Sequence, residues 1–493
     1  MKQIVTTCLL ALVWANINVT VSAAGTAKND WPRFRGPTGD GVSLAKGIPT
    51  TWSATQNVLW SADLPKAYIS SPRDVISSDK IDVISRLNFN TDKTLLPPTA
   101  VSDDPSGLNR SYQPYSSPIV SGDRVFVATA GVRVDGNKLL CFNLADGKPL
   151  WETPIPPGPR VEDAIYPYKK ELAPMSHSYG YNLATPCTDG ERVFVPFGTG
   201  DLTAVDINGK VVWQRILCKD PGERLHYEKA LYDSVISSPI LYKDVVLIVV
   251  GGCLKAYNRH TGVNAYDVRI SAGQLWSTPI LVTFKEKTVF LMNAVWAWKG
   301  VDPENGKTIW TWGPKQFHLK KIQGCSSMIF NSGLLINFGS QGGAIPVDES
   351  TTGDISTVEE KWKTSYDDRC SAESSPVIVD GIIYKYDAGI GGNDRQSNRP
   401  LIGKLRCIEV NTGKVTNTLD MPGLSSWTSP VATADGYVYY ATGSKSYVVK
   451  TGPKPEVIGR NLLGDFKFGP SPAVVDGKLI IRGGNKLWCI GRQ

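Results

Sequence analysis

Residues 117–151 read SPIVSGDRVFVATAGVRVDGNKLLCFNLADGKPLW. The stretch opens with Ser-Pro, continues through short apolar runs that glycine turns separate, and ends with an Asp-Gly turn and a tryptophan. Apolar runs of this length are typical of strands. Asp-Gly and Gly-Asp supply the positive φ angles that tight hairpins need. The stretch therefore predicts one small antiparallel sheet of four strands.

The same pattern recurs along the chain, so the whole sequence is predicted to be a repeat of this sheet. The eight copies are anchored at Pro118, Pro186, Pro239, Pro279, Met328, Pro376, Pro430 and Pro472. The fifth copy is degenerate, since Ser327-Met328 replaces Ser-Pro. The mean spacing of the anchors is about 51 residues, close to the ~40–50 residues of four-stranded propeller blades. The sequence therefore predicts an all-β, eight-bladed β-propeller.

The two ends of the chain are predicted to share the eighth blade. After the strand-like run 486–490 only three residues remain, so the last copy lacks a fourth strand. Near the other end, Asn57-Val58-Leu59-Trp60 matches Lys210-Val211-Val212-Trp213, the fourth strand of the second copy. We expect this N-terminal strand to complete the eighth blade, because pairing of the chain ends removes open edges and closes the ring.

The first residues have the features of a secretory signal peptide. Lys2 precedes an apolar run from Ile4 to Trp14, and a small-x-small site follows at 21–23. We expect a signal peptide over residues 1–23 and a protein exported to the periplasm or the extracellular space. Residues 24–493 are predicted to form a single propeller domain with insertions at 66–112 and 155–180. No later stretch holds 18 consecutive apolar residues, so no transmembrane segment is expected.

The composition argues against several classes of function. The net charge of +7 is spread along the chain without a Lys/Arg block, so nucleic acid is not an expected partner. Four histidines do not suit a multi-histidine metal centre. The cysteines form neither C-x-x-C nor C-x-x-C-H, which disfavours zinc ribbons, thioredoxin chemistry and c-type haem. We expect buried free thiols, with disulfides as the alternative that an oxidising compartment permits.

The repeat Ser-Pro … Asp-Gly … Thr-Gly-Lys … Trp resembles the pyrroloquinoline-quinone (PQQ)-type β-propeller family over about residues 115–490 and the strand near 57–62. The opening 30–37, Asp-Trp-Pro-Arg-Phe-Arg-Gly-Pro, is similar to the start of a group of exported PQQ-like repeat proteins. The resemblance implies the propeller fold. It leaves function open, because the family contains quinoprotein dehydrogenases and also non-enzymatic scaffolds.

A quinoprotein enzyme of this family would need a flat tryptophan surface, a calcium ion with oxygen ligands and a carboxylate base. The residues just before each Ser-Pro pair are expected to surround one mouth of the central funnel, and we take candidates from them. The candidate cofactor-binding residues are Trp276, Trp427, Asn182 and His177, and the candidate metal ligands are Asp233 and Glu373. No catalytic residue is singled out. The alternative is that these side chains are ordinary solvated or packed funnel residues.

Two functions follow from these observations. We favour an exported binding or scaffold protein that takes a protein or small-molecule partner at the funnel. The sequence lacks the adjacent cysteines that family enzymes often carry over the cofactor, and it lacks a haem attachment site. The alternative is a PQQ- and calcium-dependent oxidoreductase that acts on an alcohol or sugar, and only this alternative implies cofactors.

Overall fold

A computed structural model of the chain describes residues 30–65, 116–129, 137–156, 184–198, 200–217, 237–271, 276–294, 297–313, 326–338, 341–365, 373–387, 403–424, 427–464, 470–483 and 485–493. The predicted signal peptide, the insertion 66–112 and all but two residues of the insertion 155–180 lie outside these ranges. The described residues contain strands and turns, and they include no helix long and apolar enough to cross a membrane.

The described residues form eight sheets, the blades, each built on four antiparallel strands. In blades 1 to 7 these four strands follow in chain order from the inner to the outer edge, and in blade 8 the N-terminal strand takes the outer position. Blade 1 holds β3 (Ile119–Ser121), β4 (Arg124–Thr129), β5 (Lys138–Asn143) and β6 (Pro149–Pro154). Blade 2 holds β7 (Cys187–Thr188), β8 (Arg192–Phe197), β9 (Asp201–Asp206) and β10 (Val211–Ile216). Blade 3 holds β11 (Ile240–Tyr242), β12 (Val245–Val250), β13 (Cys253–Asn258) and β14 (Asn264–Arg269). Blade 4 holds β15 (Ile280–Phe284), β16 (Lys287–Ala294), β17 (Ala297–Val301) and β18 (Thr308–Trp312).

The second half of the ring repeats this arrangement, with two short additions. Blade 5 holds β19 (Ile329–Asn331), β20 (Leu334–Phe338), β21 (Gln341–Pro346) and β23 (Trp362–Ser365). Blade 6 holds β24 (Val377–Val379), β25 (Ile382–Asp387), β26 (Lys404–Glu409) and β27 (Val415–Asp420). Blade 7 holds β28 (Val431–Thr433), β29 (Tyr437–Ala441), β30 (Lys445–Lys450) and β31 (Glu456–Leu462). Blade 8 holds β32 (Ala473–Val475), β33 (Lys478–Gly483), β34 (Lys486–Ile490) and β2 (Val58–Asp63). The additions are β1 (Val42–Ser43) on blade 7 and β22 (Gly353–Asp354) on blade 4.

The predicted closure of the ring is confirmed. The N-terminal strand β2 pairs antiparallel with β34, the last strand of the chain, and so forms the outer edge of blade 8. The inner strands of blades 8 and 1 are neighbours. Because the two ends of the chain are hydrogen-bonded within one sheet, the ring closes without an open blade edge between them.

Six of the eight outer strands, those of blades 8 and 1 to 5, carry an aromatic side chain that joins the blade to the next one. The polar atom of this side chain donates a hydrogen bond to a backbone carbonyl at the hairpin turn of the next blade. The six bonds are Trp60 Nε1 to Leu144 O (2.9 Å), Trp151 Nε1 to Ile207 O (3.0 Å), Trp213 Nε1 to Arg259 O (3.1 Å), Tyr266 Oη to Pro303 O (2.7 Å), Trp312 Nε1 to Val358 O (2.9 Å) and Trp362 Nε1 to Val410 O (2.6 Å). The recurring tryptophan of the repeat thus links one blade to the next.

Two cysteines occupy the position on the third strand of a blade that faces the aromatic residue of the outer strand. Cys141 is paired with Trp151, and Cys489 is paired with Trp60. Other blades place alanine or glycine opposite the aromatic residue, as with Ala204 and Trp213. A small side chain is needed there because the indole ring covers it. The five cysteines among the described residues are all buried, and Cys141, Cys187, Cys407 and Cys489 are free thiols, in agreement with the expectation of buried thiols.

Candidate functional site

The Ser-Pro pair at the start of each inner strand has a structural role in lining the central channel. Its hydroxyl oxygen accepts a hydrogen bond from the backbone N–H of the equivalent residue in the preceding blade. The six bonds are Ser117 N to Thr185 Oγ1 (3.0 Å), Thr185 N to Ser238 Oγ (2.9 Å), Ser238 N to Thr278 Oγ1 (3.1 Å), Ser327 N to Ser375 Oγ (2.9 Å), Ser375 N to Ser429 Oγ (3.0 Å) and Ser429 N to Ser471 Oγ (3.0 Å). Within the described residues the bond is not formed between blades 4 and 5 or between blades 8 and 1. There the Oγ atoms of Ser327 and Ser117 are buried without a hydrogen-bond partner.

Residues 30–43, here called the cross-channel segment, run through the middle of the ring. The segment pairs with the inner strands of blades 1 and 2 near its start, and with blades 6 and 7 further along. The contacts are Trp31 with Val120, Pro32 O with Thr188 N, Arg35 Nη2 with Pro376 O, and Val42 with Ala432. Blades 2 and 6 lie on opposite sides of a ring of eight, so the segment crosses the channel. Sequence reasoning missed this element. Its visible signal was the run 30–37, which carries Trp and two Arg outside any repeat.

Two arginines of the cross-channel segment are buried, with Arg33 7% and Arg35 2% exposed. Arg33 donates from Nε and Nη2 to Pro37 O, at 3.2 and 3.0 Å. Arg35 donates from Nε to Gly39 O at 3.0 Å and from Nη2 to Asp40 O at 2.6 Å. Burial lowers the pKa of each guanidinium to about 10, so both remain positively charged at neutral pH. The channel therefore contains fixed positive charge.

The structure brings together two of the six predicted site residues. Trp276, Trp427 and Glu373 each stand three residues before an anchor proline, in blades 4, 7 and 6, and all three are half-buried. The ring centroids of Trp276 and Trp427 are 6.3 Å apart, with the planes inclined by 40°. Blades 4 and 7 are three steps apart in the ring, so this contact is made across the channel. We call these three residues the channel mouth.

The other three predicted site residues cannot be placed. Asn182, His177 and Asp233 lie outside the described residues. Their predicted roles in binding a cofactor or a metal therefore stay predictions, as do those of the three residues at the channel mouth.

The described part of the channel mouth does not fit a planar cofactor held between two indoles together with a calcium ion. A ring stacked on both sides needs parallel indoles about 7 Å apart, which is twice the ~3.5 Å carbon–carbon contact distance. Trp276 and Trp427 are tilted and touch each other instead. Calcium takes about six to eight oxygen ligands. Among the described residues, no group of three or more His, Cys, Asp or Glu side chains could hold a metal ion. We derive no chemical step through PQQ or calcium.

Comparison with known proteins gives matches of fold alone. No protein-family model matches the chain, and no curated protein matches its sequence. The structure is similar to that of a quinohemoprotein alcohol dehydrogenase from Comamonas testosteroni, with a TM-score of 0.57 and 11% identity over 95% of this chain and 82% of that chain. A europium-containing methanol dehydrogenase gives a TM-score of 0.50 and 13% identity over 75% of this chain and 82% of that chain.

A third similarity, to BamB from Moraxella catarrhalis, has a TM-score of 0.41 and 14% identity over 78% of this chain and 90% of that chain, which is too low to support an argument. At identities of this size the similarities concern the arrangement of strands and not the chemistry. The repeat, the ring of eight blades and the two dehydrogenase similarities agree. In its fold, the chain is an eight-bladed β-propeller, similar to those of the two dehydrogenases.

Proposed function

We propose that this protein is an exported, non-catalytic binding protein that holds its partner at the channel mouth. The observation that carries the proposal is the contact between Trp276 and Trp427 across the channel. The two indoles meet above the inner strands, while the cross-channel segment pairs with the inner strands themselves. A partner would therefore reach the channel from the side of the tryptophans.

The chemistry of the channel mouth suits recognition of an apolar or flat group. Half-buried tryptophans supply a large apolar surface with few rotatable bonds, and they are frequent hot spots of binding. Glu373, at the equivalent position of blade 6, adds a carboxylate that can accept hydrogen bonds from a partner. The partner we expect combines a flat or apolar group with hydrogen-bond donors.

Affinity capture from the exported fraction of the source cells tests the proposal. The mature wild-type protein, a Trp276→Ala/Trp427→Ala variant and a Leu150→Ala variant would serve as baits. Leu150 is exposed on the outer strand of blade 1, so its truncation is a matched control for the loss of exposed apolar surface. We expect one partner to bind the wild type and the control, and to bind the double variant at least tenfold more weakly, as for hot-spot residues. Equal binding to all three baits would contradict the assignment of the channel mouth.

The alternative is a PQQ- and calcium-dependent oxidoreductase, and the shared fold with quinoprotein dehydrogenases supports it. Titration of the mature protein with PQQ, with and without calcium, separates the two functions. The binding proposal predicts no calcium-dependent saturation by thermal shift or tryptophan fluorescence. Saturable calcium-dependent binding at micromolar concentration or tighter would replace the proposal with the alternative, and Glu373, Asp233 and Asn182 would then be the first residues to substitute.

Export is part of the proposal, and the sequence of residues 1–23 supports it. We expect the protein recovered from the exported fraction to begin at about residue 24. N-terminal sequencing checks this. Recovery of the uncleaved chain from the cytoplasm alone would contradict it.

A further inference from the structure

The cross-channel segment holds two positive charges close to one glycine. A β-carbon added at Gly39 would lie 3.1 Å from Arg33 Nη2. Gly39 O accepts the hydrogen bond from Arg35 Nε at 3.0 Å. Both guanidinium groups therefore lie against the same residue, inside the channel. Two like charges that are buried side by side destabilise each other unless a negative charge is near.

The described residues supply no carboxylate within ion-pair distance of either arginine. The nearest acid in the segment is Asp40, whose Oδ1 accepts hydrogen bonds from Thr38 Oγ1 (2.5 Å) and Val42 N (2.9 Å). Its negative charge raises the pKa of both arginines, so one carboxylate offsets part of the charge of two guanidinium groups and a net positive charge remains. Elsewhere the fold does pair its buried cations with carboxylates. Lys385 lies 3.4 Å from Asp387 Oδ1, and the buried Lys255 contacts an aspartate on the neighbouring strand.

Arg482 is the exception, and it differs in its surroundings. It is buried between blades 8 and 1, where Nη1 donates to Ser116 O (3.0 Å) and Ala128 O (2.7 Å). Its Nε is also buried without a hydrogen-bond partner, but Arg33 and Arg35 differ from it because both lie against one residue, Gly39. Backbone carbonyls can accommodate one guanidinium, but they do not compensate two adjacent charges.

Unused hydrogen-bond capacity accompanies this charge. Arg35 Nη1 is buried and has no hydrogen-bond partner. Buried donors are almost always satisfied by protein, water or a ligand. A guanidinium donor that is left over next to a second positive charge selects an anion.

We propose that a compact monovalent anion, a halide or a small carboxylate, binds inside the channel at Arg35 Nη1 and is shared electrostatically with Arg33. The site is separate from the channel mouth and does not depend on the proposed function. The anion compensates the net positive charge that remains beside Asp40, and it fixes the cross-channel segment between the two sides of the ring.

Anion-dependent thermal unfolding of the wild-type protein tests the site. The mature protein would be exchanged into sodium gluconate, whose anion is bulky, and titrated with sodium bromide or sodium formate at constant ionic strength. We expect a saturable rise in the unfolding temperature, because a ligand that binds only the folded state stabilises it. A change that follows ionic strength alone would overturn the proposal. Saturation by formate and not by bromide would assign a carboxylate, and the reverse would assign a halide.

Crystals soaked in sodium bromide give a readout that does not depend on stability. We expect an anomalous peak within about 3.5 Å of Arg35 Nη1, at hydrogen-bonding distance. The absence of a peak, together with an anion titration that does not saturate, would overturn the proposal. The two arginines would then serve only to stabilise the turn from 36 to 41 through hydrogen bonds to its carbonyl groups.

Substitutions identify the residue that binds the anion. We expect Arg35→Gln to weaken the apparent anion affinity at least tenfold, and Arg35→Lys to weaken it less because the charge is kept. Arg269→Gln removes the same charge from an exposed site on blade 3 and should change nothing. Equal anion dependence in all variants would contradict the assignment of Arg35. If Arg35→Gln does not fold, the anion titration of the wild-type protein and the bromide-soaked crystal still test whether the site binds an anion.

Discussion

At the scale of single residues, one hydroxyl group explains why Ser or Thr precedes the anchor proline. The hydroxyl oxygen satisfies a buried backbone N–H of the neighbouring blade, and proline can follow because the first position of an inner strand need not donate to the ladder. The serine is thus tied to the contact between blades, and the proline to the start of the strand. The same reasoning distinguishes serines whose hydroxyl oxygen accepts a hydrogen bond from the neighbouring blade from serines whose hydroxyl oxygen accepts none.

We expect Ser375→Ala to lower the free energy of unfolding by about 1–3 kcal/mol, because it leaves the N–H of Ser327 buried and unpaired. Ser117→Ala is the matched control, since the hydroxyl oxygen of Ser117 is equally buried but accepts no bond. Ser117→Ala should change the free energy of unfolding by no more than about 0.5 kcal/mol. Urea unfolding of both variants checks the difference. Equal losses would show that the hydroxyl–amide bond does not stabilise the boundary between blades.

Glycines of the hairpin turns are required where an indole ring packs on them. A β-carbon at Gly413 would lie 2.6 Å from the ring of Trp362, and φ is +68°. We expect Gly413→Ala to destabilise the protein by about 3 kcal/mol, from about 1 kcal/mol of backbone strain and about 2 kcal/mol of displaced packing. Gly381→Ala in the same blade has φ of +75° and open space, so it should cost only about 1 kcal/mol. Denaturant unfolding compares the two variants. Equal losses of unfolding free energy would mean that the contact between Gly413 and the indole of Trp362 does not add to the effect of the substitution.

At the scale of elements, the cross-channel segment is the part of the chain that departs most from the repeat. It gives β-type hydrogen-bond partners to inner strands, whose channel-facing edges would otherwise be open. Its backbone pairs with Val120 in blade 1, with Thr188 in blade 2 and with Ala432 in blade 7. A segment that joins opposite sides of the ring should restrain the inner strands locally.

Deletion of residues 30–43 is expected to speed up amide exchange at Val120, Thr188 and Ala432 by at least tenfold, because each of these amides loses its acceptor. The amide of Gly413, which donates to Glu409 O within its own blade, is the internal control. Hydrogen exchange followed by mass spectrometry measures both. Uniform acceleration across the ring would show instead that the segment acts on global stability.

At the scale of the whole molecule, the boundary between blades 8 and 1 is where the ring closes. The N-terminal strand β2 supplies the outer edge of blade 8 and also the tryptophan that docks on blade 1. The hydroxyl–amide bond that joins six of the other boundaries is not formed there among the described residues. At this boundary Trp60 donates to Leu144 O and Arg482 donates to Ser116 O and Ala128 O, so we expect closure to depend on these side-chain contacts.

We expect Trp60→Ala to lower the free energy of unfolding by about 3–5 kcal/mol, the range for truncation of a large buried side chain. Trp60 is 7% exposed, whereas its neighbour Leu59 is 37% exposed and points away from the ring. Leu59→Ala should therefore stay within about 0.5 kcal/mol. Denaturant unfolding compares the two. A small effect of Trp60→Ala would show that the ring closes without the indole, through strand pairing and the hydrogen bonds of Arg482.

At the channel mouth, part of the candidate site could be predicted from the sequence and part could not. The stretch just before each Ser-Pro pair could be read from the repeat, and Trp276, Trp427 and Glu373 were taken from it by residue type, without a spacing rule. The contact between the two tryptophans could not be read, because they are 151 positions apart and belong to blades that are not neighbours. The function of the site stays a proposal, because the fold is shared by enzymes and by binding proteins.

The sequence by itself determined the number of blades, the four strands of each and the closure by the N-terminal strand. These features depend on local patterns, namely turn residues, short apolar runs and one recurring tryptophan, and each copy repeats them. Only the tertiary structure decided the path of residues 30–43 and the burial of Arg33 and Arg35. Such contacts join residues from opposite sides of a ring, and no local periodicity encodes which distant strands will face one another once the ring has closed.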